Sequence, residues 1–143
     1  SRSENEAFKA LGGTYISDKQ QFFATADIVS VHLPLNKDTE GIIDKKELKA
    51  MKKTAILVNT ARGGVINEAE LIEALEQKEI AGAGLDVFEK EPIDSNNRLL
   101  KLDNVVLTPH VAYKTEEALN RRMEVTVKNI ADFRDGKKDN RVD

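Results

Sequence analysis

The chain has 143 residues, of which 40% are apolar and 33% are charged, and its formal net charge is −3. This length suits one domain with a hydrophobic core. The nearly balanced charge, with no basic block, argues against nucleic acid as a main partner. We expect a soluble cytoplasmic protein, because no apolar run reaches membrane-spanning length and no signal peptide is present. The sequence has no cysteine, which excludes disulfides and thiolate metal sites, and we expect no metal ion.

The first half of the chain alternates between helical and strand patterns. Helices are predicted at residues 4–11, 18–26 and 47–51, the first with Ser3 as its N-cap and Gly12-Gly13 as its stop. In the second of these helices, Phe22 and Phe23 are predicted to face inward. The strands are predicted at residues 14–16, 28–32 and 55–59, the last two as buried β-branched runs.

The second half continues the alternation. A helix is predicted from residue 68 to about residue 78, capped by Asn67. Strands are predicted at residues 80–86 and 105–107. A long helix is predicted at residues 116–135, with Gly136 as its stop and one apolar stripe formed by Leu119, Met123, Val127 and Ile130.

Strands that alternate with helices predict an α/β fold, a doubly wound parallel sheet with helices on both faces. In such sheets, ligands bind outside the carboxyl ends of the strands. Polar residues follow the predicted strands at His32, Thr60–Arg62, Asp86 and His110. Their common position predicts one shared site.

Arg62 follows a buried strand and precedes Gly63-Gly64, which permit a tight turn and a close backbone approach. A guanidinium at this point could bind a substrate carboxylate through two parallel hydrogen bonds and polarise the adjacent ketone. The alternative is a loop arginine that pairs with a nearby acid.

His110 and His32 are the only histidines, so imidazole chemistry must use one of them. His110 comes directly after a strand and is favoured as the general acid and base. His32 is favoured either as a histidine whose ring nitrogens are hydrogen-bonded within the protein or as part of the wall of a cofactor pocket. Glu91, which the following Pro92 biases towards an extended conformation, is a candidate partner of His110, because a neighbouring carboxylate favours the charged imidazolium. Glu89 is the rival, and a solvated side chain is favoured for it.

Asp86 closes an apolar strand, where an unpaired carboxylate would be costly. We therefore expect it to bind a nicotinamide carboxamide or an amide-bearing side chain. The alternative is that Asp86 caps the following turn. Gly82-Ala83-Gly84 lies inside a predicted strand and lacks the third glycine of a dinucleotide-binding loop, and Gly63-Gly64 lacks the following lysine of a nucleotide-triphosphate loop.

Three segments carry a resemblance to a known family. ADIVSVHLPL at residues 26–35, MKKTAILVNTARGG at 51–64 and LDVFEKEP at 85–92 resemble the D-isomer-specific 2-hydroxyacid dehydrogenases. The resemblance implies that residues 1–143, long helix included, are a truncated NAD(P)-binding domain with a partial Rossmann-like sheet. The first strand and the glycine-rich loop of that domain would be missing. It further implies that the chain belongs to a longer enzyme and is inactive alone.

The resemblance also implies roles for individual residues. An oxidoreductase of this family would move a hydride between a nicotinamide cofactor and a 2-keto or D-2-hydroxy acid. Arg62 would hold the substrate carboxylate and carbonyl, His110 would donate the proton, and Glu91 would keep His110 charged. The expected cofactor contacts are Leu33 and Pro34 near the adenosine, and Thr60, Ala61, Arg62, Asp86, His110 and Ala112 near the nicotinamide.

The cofactor is expected to be NAD or NADP. Ser1-Arg2-Ser3 would lie where the family reads the adenosine ribose, and Ser1 and Arg2 would suit a 2′-phosphate, which slightly favours NADP. The alternative is that these residues cap the following helix. By resemblance, the parent protein is expected to be a homodimer. The competing function is a dinucleotide-sensing corepressor, since such relatives keep the same arginine, glutamate and histidine.

Overall fold

The computed structural model describes residues 3–140. The described residues up to His110 form one compact unit, and those from Val111 onward form a second. In the first unit the helices are α1 (Glu6–Ala10), α2 (Lys19–Thr25), α3 (Lys45–Ala50) and α4 (Glu68–Glu76). Its strands are β1 (Ile28–Val31), β2 (Ile56–Asn59), β3 (Gly82–Leu85) and β4 (Val105–Leu107). The second unit contains α5 (Glu116–Arg134).

The four strands form one parallel sheet in the order β1-β2-β3-β4. Parallel strands need a crossover between them, and α3 and α4 provide the first two. The path from β3 to β4 instead runs through a short 3-10 helix at Arg98–Lys101. The predicted α/β fold with a parallel sheet is therefore confirmed.

Side chains of polar residues cap the N-termini of several helices in this fold. Asn67 accepts a hydrogen bond from the backbone N–H of Glu70 and caps α4, as predicted. Asp44 and Glu47 form a reciprocal capping box at the start of α3. Thr115 caps α5, and Gly136 follows that helix with a φ of 77°, the left-handed conformation expected of a helix stop.

Three local predictions were wrong. Residues 14–16 are not a strand, because no strand of the described sheet pairs with them. Asn5, not Ser3, caps α1, since its side chain accepts the backbone N–H of Phe8. Phe23 is buried at 4% exposure, whereas Phe22 is 39% exposed. Successive residues on a helix point about 100° apart, so one of two adjacent side chains leaves the core.

One face of the sheet carries the hydrophobic core. Val29, Val31, Leu57 and Leu85 lie on that face and pack with the buried residues of α2, α3 and α4. The opposite face leaves Ile28, Ile56 and Val106 exposed. Within the first unit, α2, α3 and α4 therefore pack against one face of the sheet.

The predicted apolar stripe lies on α5 and is exposed, with Leu119, Met123, Val127 and Ile130 all accessible. Asp132 is the buried residue of this helix and forms ion pairs with Lys128 and Lys137. Among residues 3–140, no helix is both long and apolar enough to cross a membrane.

Candidate active site

The carboxyl ends of the four strands lie side by side. The registers align Val31 with Asn59, Asn59 with Leu85, and Leu85 with Leu107. The residues that follow this row are His32, Thr60, Asp86 and Thr108. The sheet therefore brings the predicted polar residues of separate segments to one edge, where ligands bind in folds of this class.

Arg62 lies in the loop that leaves β2 and directly precedes a 3-10 helix at Gly63–Val65. Its side chain is exposed, and Nη1 donates a hydrogen bond to the carbonyl oxygen of Ala61 at 2.6 Å. The sequence left open an arginine paired with a nearby acid. In the structure the guanidinium donates to a backbone carbonyl of its own loop. It is also exposed, so that an anionic ligand could reach it.

His110 and Glu91 are in direct contact. His110 Nδ1 lies 2.7 Å from Glu91 Oε2, and the two side chains are 39% and 36% exposed. His110 has a φ of 55°, in the left-handed region that few residues other than glycine adopt. Its backbone N–H donates to the carbonyl oxygen of Asp86 at 2.9 Å, and this bond helps to hold the unusual conformation.

The carboxylate of Glu91 is held from two sides. The hydrogen bond to His110 is the main cause that lowers the pKa of Glu91 below its ordinary value of 4.5, and partial burial opposes it. The backbone N–H of Phe88, 3.1 Å from Oε1, and the charges of His110 and Arg62 lower the pKa further. Glu91 is therefore ionised at neutral pH, and Arg62 is close enough for its positive charge to stabilise the ionised carboxylate.

Glu89, the alternative to Glu91 as the partner of His110, makes a different contact. It is exposed, and its backbone N–H donates to Glu68 Oε2 at 3.1 Å. Glu68 also accepts a hydrogen bond from Asn97 Nδ2 at 2.7 Å. Glu68 thus ties α4 to the loop that carries Glu91, and the peptide bond between Glu91 and Pro92 in this loop is cis.

Asp86 is buried at 3% exposure, and its carboxylate accepts a hydrogen bond from the hydroxyl of Thr108. A hydroxyl partner was not among the predicted ones. Because Asp86 also accepts the backbone N–H of His110 through its carbonyl oxygen, it links the end of β3 to the segment of His110. Its contact with a nicotinamide stays a prediction.

A cleft of about 450 Å³ opens at this edge and is lined by residues 32–35 and 60–62. It includes the predicted cofactor residues Leu33, Pro34, Thr60, Ala61 and Arg62. The imidazole of His32 also lines it and lies 2.8 Å from the hydroxyl of Ser30. Apolar walls with a few polar groups and one cation fit part of a dinucleotide.

Ala112 is exposed and lies in the second unit, which begins at Val111. Ser1 and Arg2 lie outside the described residues. Within residues 3–140, no group of three or more histidine, aspartate and glutamate side chains is arranged to hold a metal ion.

Two further residues shape the site: Asn59, to which sequence reasoning gave no role, and Gly63, for which it predicted only a tight turn and a close backbone approach. Asn59 is 1% exposed, and its side chain binds the loop of Arg62. Gly63 lies so close to Phe88 that a Cβ on it would be 1.9 Å from the carbonyl carbon of that residue. A polar residue ending an apolar strand was the available signal for Asn59, whereas nothing local pointed to the partner of Gly63.

Comparison with known proteins identifies the family. The model of the family described as D-isomer specific 2-hydroxyacid dehydrogenase, NAD binding domain, matches residues 1–112. The chain belongs to this family. It is 45% identical over 128 residues to a glyoxylate reductase of Korarchaeum cryptofilum, and the match covers 90% of the chain and 38% of the reductase.

Solved structures agree with this assignment. A D-isomer specific 2-hydroxyacid dehydrogenase from Lactobacillus delbrueckii ssp. bulgaricus, in its NAD-complexed form, superposes with a TM-score of 0.88 at 33% identity. That match covers 100% of the chain and 47% of the dehydrogenase. An acyclic imino acid reductase, Bsp5, in complex with NADPH and D-Arg, has a TM-score of 0.78 at 39% identity, over 84% of the chain and 38% of the reductase. The chain therefore spans less than half the length of each of these proteins.

Proposed function

We propose that the full-length protein is an NAD(P)-dependent oxidoreductase that interconverts a 2-keto acid and a D-2-hydroxy acid. The observation that carries the proposal is the 2.7 Å contact between His110 and Glu91, at the same edge of the sheet as Arg62. Family membership supports the reaction class. The glyoxylate reductase among the relatives supports a small 2-keto acid as substrate.

In this proposal Arg62 binds the substrate carboxylate. A guanidinium presents two parallel N–H donors that match the two oxygens of a carboxylate, and its charge polarises the adjacent ketone. The guanidinium would exchange its contact with the carbonyl oxygen of Ala61 for the substrate. When bound, the nicotinamide supplies the hydride that reduces the substrate at C2.

His110 supplies the proton for the C2 oxygen in the same proposal and takes it back in the reverse direction. Glu91 contacts Nδ1, so Nε2 is the nitrogen that gives the proton. An ionised Glu91 favours the charged imidazolium, which is the form able to donate. The paired carboxylate also orients the ring, because the contact fixes one of its two nitrogens.

The residues of the cleft fit the cofactor that this reaction needs. Leu33 and Pro34 would form its apolar wall, and Thr60 and Ala61 would line the nicotinamide end. Asp86 would contact the nicotinamide end as well, as the family resemblance implies. Ala112 is proposed for the same end on that resemblance alone.

The test is oxidation of NADH and NADPH by the full-length protein with a panel of 2-keto acids, glyoxylate included. His110→Ala should lower turnover by about two to four orders of magnitude, the usual scale of general acid–base catalysis. His32→Ala is the matched control, because it removes the other imidazole and should leave the proton transfer intact. A turnover that survives in His110→Ala would contradict the proposal.

The choice of cofactor is part of the same experiment. We propose a slight preference for NADP, which rests on Ser1 and Arg2 and on the suitability of a guanidinium for a 2′-phosphate. Arg2→Ala should then raise the KM for NADPH more than the KM for NADH. Equal effects on both would favour the alternative in which these residues cap a helix.

Two further proposals rest on the family resemblance. The full-length protein should be a homodimer, which light scattering can test. The corepressor alternative has no support among the relatives and structures described above. It would gain support if the protein bound a dinucleotide tightly and reduced none of the acids.

A further inference from the structure

Asn59 is a buried polar residue at the end of β2. It is 1% exposed and lies in register with the apolar residues Val31 and Leu85. A buried amide that made no hydrogen bonds would cost free energy. The hydrogen bonds of this amide therefore explain why the position can hold a polar side chain.

Both ends of the amide bind the loop that carries Arg62. Oδ1 accepts the backbone N–H of Ala61 at 3.0 Å, and Nδ2 donates to the backbone carbonyl of Arg62 at 3.0 Å. The first bond fixes the chain just before Arg62, and the second fixes the chain just after its Cα. The Cα from which the guanidinium extends is thus held on both sides by one buried side chain.

The backbone of Asn59 extends this arrangement to the next strand. Its carbonyl oxygen accepts the N–H of Asp86 at 3.0 Å, and the carbonyl oxygen of Asp86 accepts the N–H of His110 at 2.9 Å. Asn59 therefore connects the loop of Arg62 to the hydrogen-bonded sheet edge that also holds the segment of His110.

We propose that Asn59 is a positioning residue that sets the direction in which Arg62 presents its guanidinium to the substrate carboxylate. The inference rests on the role proposed above for Arg62. Aspartate cannot replace this asparagine, because an ionised carboxylate has no donor for the carbonyl of Arg62. Leucine fills a similar volume but satisfies neither backbone group.

The test measures kcat and KM in the full-length protein with Asn59→Asp and with Asn59→Ser, which adds no charge. The loss of one or two buried hydrogen bonds should raise the KM for the keto acid by about tenfold to a hundredfold. The KM for the nicotinamide cofactor should rise less than the KM for the keto acid, because Asn59 holds the backbone on both sides of Arg62 but only one N–H of Ala61, which lines the cleft.

A double-mutant cycle separates positioning from general support of the fold. In an Arg62→Ala background, Asn59→Ser should raise the KM no further, since the group that it positions is gone. Asn67→Ala is the matched control, because it removes another asparagine-to-backbone hydrogen bond, at the cap of α4. It should lower the melting temperature and leave the KM unchanged.

Binding of oxamate, a carboxylate that the reaction cannot turn over, distinguishes failure of the inference from failure of the proposed function. If the wild type binds oxamate but reduces no acid, the proposed function fails, and weaker oxamate binding by Asn59→Ser would still support the inference. An equal KM increase in the presence and absence of Arg62 would overturn it. So would unchanged keto-acid and oxamate affinity in Asn59→Ser, or a wild type that binds no carboxylate.

Discussion

Replacing Gly63 by alanine tests a close backbone contact in the site. A Cβ on Gly63 would lie 1.9 Å from the carbonyl carbon of Phe88, 2.0 Å from its oxygen and 2.4 Å from the nitrogen of Glu89. These are backbone atoms, which cannot rotate away as a side chain can. The two segments must therefore move apart to admit the methyl group.

The size of the movement follows from these distances. Non-bonded carbons approach to about 3.5 Å, so the backbones must separate by about 1.6 Å at the carbonyl carbon, the difference between that value and the 1.9 Å above. Gly63 directly follows Arg62, and the N–H of Phe88 binds the carboxylate of Glu91. The movement would therefore occur between Arg62, the proposed carboxylate clamp, and the pair formed by Glu91 and His110, the proposed proton donor.

We expect Gly63→Ala to lower kcat/KM for the keto acid by about a hundredfold, since a misplacement of about 1 Å can have that effect. Overpacking should also lower the free energy of unfolding by about 1–3 kcal/mol. The assay is steady-state reduction by the full-length protein, with urea denaturation measured in parallel.

Gly64→Ala is the matched control. Its Cβ would lie 3.2 Å from Leu35 Cδ2, the end of a flexible side chain that can move. We therefore expect much smaller changes in activity and in stability. If Gly63→Ala behaved like Gly64→Ala in both measurements, the contact with Phe88 could not be the constraint that we describe.

Two further predictions concern stability. Because pairing with His110 lowers the pKa of Glu91 below 4.5, the pair stabilises the fold above that pH and loses its contribution as the pH falls through the lowered pKa. Urea denaturation between about pH 7 and about pH 3 should show a gap between wild type and Glu91→Gln that narrows with falling pH, and a constant gap would contradict this. Asp44→Ala removes the capping box of α3 and should cost about 0.5–2 kcal/mol in free energy of unfolding, whereas exposed Lys46→Ala should cost little.

The sequence predicted the sheet well because the strands are apolar runs bounded by helices with recognisable caps. β2 and β4 were placed within a residue of their observed ends, and Asn67 caps α4 as expected. The prediction of a strand at residues 14–16 was wrong, because a β-branched run becomes a strand only when another strand pairs with it. Whether a partner exists is a long-range property that a local pattern does not contain.

The candidate site, like the fold, could be predicted from the sequence only in part. The placement of His32, Thr60 and Asp86 at one edge followed from the rule that parallel strands end together. The contact of His110 with Glu91 joins residues 19 positions apart, and the sequence proposed it by resemblance to a family. The left-handed backbone of His110 could not be predicted, because it depends on hydrogen bonds to other segments.

The groups that position the proposed chemistry act largely through the backbone. The amide of Asn59 binds the main chain on either side of Arg62, and the N–H of Phe88 binds Glu91. Gly63 matters because it has no side chain. A motif shows which functional groups are present, but these contacts determine whether a guanidinium and an imidazole face the same small acid. Substitutions at Asn59 and Gly63 should therefore impair keto-acid reduction while every residue assigned a chemical role remains in place.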